Sequence, residues 1–106
     1  MKMRFATPLL GTTNRTLVSC EANQMFKVES LWATNVDSSN YKLTLWHVPA
    51  GQAVADQFAL AHEQIIRPST TLLYEAPIYL LAGDRLVAVA DAADKLAVLV
   101  YGDFEG

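Results

Sequence analysis

The chain has 106 residues, a formal charge of −3, and 52% hydrophobic against 18% charged residues. That balance excludes a disordered chain, and a pI near 5.2 leaves no basic field to hold nucleic acid or an anionic membrane. Folding at this length hides about 65% of the extended surface, enough for one core without a metal or disulfide staple, and the apolar surplus asks for burial between subunits.

The first fifteen residues, rich in threonine and holding Pro8 and Gly11, read as an N-terminal arm or extension that reaches a neighbour. Residues 5–10 are too short, and too interrupted by Pro8, to serve as a signal-peptide core, so no export by that route is expected. Asn14-Arg15-Thr16 fits a glycosylation acceptor but reads as a polar loop without a secretion signal. Residues 16–106 form the expected single domain. A weak strand is predicted over 16–20, ending at Cys20, the only cysteine. One cysteine permits neither an intrachain disulfide nor a cysteine-rich zinc site, and it reads as a small buried hydrophobe in a chain that folds in a reducing cytoplasm.

Period-two alternation then takes over, the signature of strands with one buried face. Over 26–34 it puts Phe26, Val28, Ser30 and Trp32 on one face and Lys27, Glu29, Leu31 and Ala33 on the other. The polar run Asp37-Ser38-Ser39-Asn40 predicts a reversal and a hairpin with the strand 41–48, which Pro49-Ala50-Gly51 ends. The alanine-rich stretch 53–63 predicts a helical turn or two, or a long loop crossing as Greek-key and jelly-roll connections require. Weaker strands are expected at 65–66 and 70–75, bordered by Pro68 and Pro77.

Ala82-Gly83-Asp84 predicts a turn between strands 78–81 and 85–90, and Asp91-Ala92-Ala93-Asp94 precedes a last strand, 95–104. These last strands are apolar on both faces, which places them deep in a sandwich or against another subunit. The fold class is therefore all-β: an antiparallel, jelly-roll-like sandwich of seven or eight short strands. The longest apolar run, 96–101, is far below the roughly 20 residues that span a bilayer as a helix, so a water-soluble chain is expected.

No motif for chemistry is complete. His47, His62 and Glu63 are the one start of a metal site, but a single histidine on a strand and a second on a loop lack ligand spacing, so no metal is expected. Neither Ser19 nor Ser30 lies in a nucleophile elbow, the glycines form no phosphate cradle, and the carboxylates fall mostly in turns. No catalytic residue and no cofactor is predicted. Trp32, Trp46, Tyr41, Tyr74 and Tyr79 would make a sugar-stacking platform if they faced solvent together, though strand aromatics more often pack in cores and interfaces. Trp32, Trp46, Leu99, Tyr101 and Phe104 are the candidate interface or core residues.

Three stretches carry a family resemblance: Phe26-Lys27-Val28-Glu29-Ser30-Leu31-Trp32-Ala33-Thr34-Asn35; Val48-Pro49-Ala50-Gly51 with the variable stretch behind it; and Tyr79-Leu80-Leu81-Ala82-Gly83-Asp84-Arg85-Leu86 followed by Val98-Leu99-Val100-Tyr101-Gly102-Asp103-Phe104-Glu105. In this order, over residues 17–104, they resemble small β-sandwich structural proteins of tailed-bacteriophage particles, of the capsid-decoration or tail- and fibre-associated type. The resemblance implies a non-enzymatic virion subunit, most simply a capsid decoration or cement protein. It would be assembled in the host cytoplasm, associate with itself as a homotrimer, and contact the major capsid protein or other virion subunits, without nucleic acid or membrane. A tail, neck or fibre role is the alternative, and a carbohydrate-binding module is the alternative from another class.

Overall fold

A computed structural model describes residues 1–6, 9–75 and 77–105. Pro8, within the stretch expected to be an arm, and Gly106, at the end of the expected domain, lie outside them. Nine strands are present among the described residues: β1 (Lys2–Ala6), β2 (Arg15–Ser19), β3 (Met25–Asn35), β4 (Tyr41–Val48), β5 (Ala59–Ile66), β6 (Thr71–Tyr74), β7 (Ile78–Leu80), β8 (Arg85–Ala90) and β9 (Leu96–Glu105). They build two antiparallel sheets packed face to face. The first runs β1-β9-β3-β6, with β7 also paired to β3, and the second runs β2-β8-β4-β5. Leaving β7 aside, this interleaved order is that of a jelly roll, in which successive strands alternate between the sheets except at β4–β5.

Most strands fall where the sequence pattern places them, β1 and most of β5 being the exceptions, but their pairing differs from the hairpins expected. β3 and β4 do not pair: the chain reverses at 36–40 and crosses to the opposite sheet, as it does again between β7 and β8 and between β8 and β9. The connection expected to cross does the reverse. β4 and β5 are neighbours in one sheet, joined through a single 3-10 turn at Asp56–Phe58. From Ala59 onward the alanine-rich stretch is strand, because pairing with β4 satisfies backbone groups that one short turn of helix would leave open. The N-terminal stretch is drawn in too: β1 adds to the edge of the first sheet beside β9, setting Phe5 edge-on to Phe26 at 5.6 Å between ring centres.

Between the sheets lies one core, which includes Leu10, Phe26, Val28, Leu31, Leu43, Leu45, Leu80, Leu86, Leu96 and Val100. Gly102 lets it close. A Cβ there would stand 2.3 Å from Phe26 Cζ and 2.4 Å from the Lys27 carbonyl oxygen, so β9 approaches β3 only because the residue has no side chain. Buried Asn35 ties the β3–β4 connection: its Nδ2 donates to the carbonyls of Ser39 (2.7 Å) and Ile66 (2.9 Å), and its Oδ1 accepts from the Asp37 amide (2.9 Å). A second, smaller cluster sits on the outer face of the other sheet, where Trp46, Val48 and Val87 pack under Val54 and Phe58. The doubly apolar character of β8 is thus met partly within the chain itself.

Candidate functional site

The informative surface is the outer face of the sheet β1-β9-β3-β6. It exists in this form because of an irregularity in β3. Pairing of β3 with β9 shifts between Val28 and Ser30, leaving Glu29 as an extra residue that opposes nothing. Such a bulge reverses which residues face the core. Phe26 and Val28 point inward before it, and Leu31, Ala33 and Asn35 do so after it. The face assignment drawn from simple alternation therefore fails beyond Glu29: Leu31 and Ala33 are buried, and Trp32 is turned out to 41% exposure.

Residues directly opposite each other on antiparallel strands project to the same side, so the registers define four rows across this face. Nearest the bulged end, Lys2, Asp103, Lys27 and Tyr79 lie side by side. Next come Arg4, Tyr101 and Ser30. The third row is apolar throughout: Ala6, Leu99, Trp32 and Leu73. The fourth is small and hydroxylic, with Ala97, Thr34 and Thr71, whose two threonine hydroxyls are 2.9 Å apart. Leu73 is 38% exposed and Tyr101 37%, while the Trp32 indole Nε1 donates to Ser30 Oγ at 3.2 Å. Lys2 pairs with Glu29 and lies 3.7 Å from Asp103, which gives the charged row a partly neutralised rim.

Of the five candidate residues, Trp32, Leu99 and Tyr101 meet on this face. Trp46 does not join them: it is 7% exposed inside the small second cluster, and its indole N–H finds no acceptor among the described residues. Phe104 packs on the core beside Phe26, with ring centres 4.5 Å apart. Sequence reasoning misses Leu73 as a member of the face. Its short strand shows little alternation, and only the pairing with β3 reveals its neighbour Trp32.

Several polar groups elsewhere hold backbone in place. Asp84, 8% exposed, accepts from the Ala50 amide (3.0 Å) and the Leu81 amide (3.0 Å), and its Oδ2 is 3.1 Å from His47 Nε2. Burial pushes the Asp84 carboxyl up, but the hydrogen bonds from His47, Leu81 and Ala50 outweigh it and hold the group below its ordinary range. This hub fastens the β7–β8 turn to the end of β4, and Gly83, at φ +85°, completes that turn in a conformation side chains disfavour. His62 lies 3.9 Å from Glu63, both exposed, and His47 is committed to Asp84. Among the described residues no three potential metal ligands converge. An open cleft of about 310 Å³ includes Lys42, Thr44, Glu63 and Asp91 in its lining, and there Asp91 accepts the Lys42 amide and Thr44 the Glu63 amide. Cys20 is buried, which raises its thiol pKa.

Compared with family models, curated proteins and solved structures, the chain finds no match.

Proposed function

We propose that this chain is a non-enzymatic assembly subunit whose exposed sheet face is covered by other chains. The observation that carries the reading is the row Leu99-Trp32-Leu73 with Tyr101 beside it, large apolar side chains standing together on a regular sheet rather than scattered over the surface. Aromatic residues surrounded by a charged and hydroxylic margin are the composition of an interface centre and its rim. The sequence resemblance supplies the setting: a structural protein of a tailed-phage particle, as a capsid decoration protein or, in the second position, a tail, neck or fibre-associated one.

Sedimentation velocity of the purified chain across micromolar concentrations tests the assembly reading. Self-association that Trp32→Ser and Leu99→Ser abolish, with folding retained, supports it, and a monomer at every concentration refutes it. Gene order tests the setting: neighbours encoding a major capsid protein support a decoration role, and tail or baseplate neighbours support the other. A carbohydrate-binding module is the second reading, favoured by Trp32 and Tyr101 presenting rings on the same face. A glycan array showing selective, Trp32-dependent hits would select it.

A further inference from the structure

Resting on the assembly reading above, we infer that the occupant of this face is a second copy of the chain, packed face to face about a two-fold axis that runs parallel to the strands between β3 and β9. The four rows decide the direction of the axis. Rotation about such a line returns each row onto itself and exchanges the β3 residue with the β9 residue of the same row. Leu99 then lies against the partner copy's Trp32, and Tyr101 against its Ser30. Ala97 meets Thr34 in the fourth row, and in the first row Asp103 meets Lys27. Each contact occurs twice, so the apolar row is buried on itself and two opposite-charge pairs close one end.

The competing two-fold axis, perpendicular to the strands, lays the charged row over the threonine row. Lys27 would then lose water against Thr34 without gaining an opposite charge, an uncompensated desolvation, while Asp103 would keep only the Met1 ammonium (2.7 Å) and Lys2 of its own chain. Among the described residues no carboxylate lies within ion-pair distance of Lys27, so its ammonium remains available for a partner's carboxylate. A ring of three is disfavoured on different grounds. It needs two distinct complementary patches on each chain, whereas the ordered apolar row lies on one face, which suits pairing of like with like.

The size of the face sets the strength. Four strands at about 4.8 Å and four rows at about 6.7 Å give roughly 500 Å² per copy, near 1,000 Å² for the pair. That is below the size of standard stable interfaces and in the range of weak, transient ones, so pairing is expected at micromolar concentrations and above.

Charge reversal tests the axis. Lys27→Glu alone and Asp103→Lys alone each place like charges opposite one another in both copies of this contact, and each weakens self-association at least about tenfold. Mixing the two variants in equal amounts restores it. In a mixed pair the introduced glutamate faces the introduced lysine, and the unaltered Asp103 of one chain faces the unaltered Lys27 of the other. The charges within each chain do not change on mixing, so recovery reports contacts between chains. Sedimentation velocity of each variant and of the mixture reads the result, with circular dichroism to show that each is folded. Wild-type pairing without loss in the single variants, or without recovery on mixing, overturns this axis while leaving the assembly reading intact. A wild-type chain that never pairs overturns the assembly reading itself.

Discussion

Replacing Asp84 with alanine removes the acceptor from the hub that joins the β7–β8 turn to β4. The Leu81 and Ala50 amides, each 3.0 Å from the carboxylate, would be left in a region where the residue itself is only 8% exposed. Both bonds are part-buried, so water can reach the freed amides, and losing the two charge-assisted bonds together costs about 1–3 kcal/mol. His47, more exposed at its side chain, can turn to water and adds little. A chain of this size loses roughly 4 °C in Tm per kcal/mol, so the midpoint falls by about 4–12 °C. Thermal and urea unfolding of the two proteins at neutral pH measure this. The sign of the pH dependence follows from the depressed Asp84 pKa: its contribution is complete above the unfolded value of about 3.9 and is lost as pH falls through the lower folded value. The gap between wild type and Asp84→Ala therefore narrows in strong acid. A loss below about 1 kcal/mol at neutral pH, or a gap that widens with acid, refutes the role given to the hub.

Three further outcomes are expected. Gly102→Ala, which forces a Cβ against the Lys27 carbonyl and the Phe26 ring, destabilises the fold by about 2–4 kcal/mol in urea titration, whereas Gly11→Ala, with open space around its position, changes stability by less than about 1 kcal/mol. Trp32→Ser leaves the unfolding midpoint of the dilute chain within a few degrees of wild type, because the residue is outside the core, while abolishing association by sedimentation. Trp46→Phe costs less than about 2 kcal/mol in the same titration despite its burial, since the lost volume is offset by removing an indole N–H without an acceptor.

The jelly-roll class is legible in the sequence because strand-length stretches, alternating at 41–48 and apolar on both faces at 85–90 and 95–104, are separated by turn residues. Pairing is not legible, since alternation says which residues point inward but is silent about which strand lies alongside. Hence 26–34 and 41–48 resemble a hairpin although they face each other across the core. The bulge at Glu29 does leave a trace: the apolar phase slips from Phe26 and Val28 to Leu31 and Ala33, a one-residue shift that a regular strand does not produce. That slip is the signal that turns Trp32 outward. Trp46 is a different case. It does point away from the main core, but the chain at Val54 and Phe58 folds back over it, a contact that local pattern does not encode.

The most direct test of a sheet face covered by sister copies is the emission of Trp32 in the Trp46→Phe protein, where it is the sole tryptophan, followed from nanomolar to high micromolar concentration. Covering predicts a shift to shorter wavelength and protection from acrylamide quenching as the concentration rises, lost in Leu99→Ser. Emission that stays solvent-exposed and equally quenched across the whole range would contradict it.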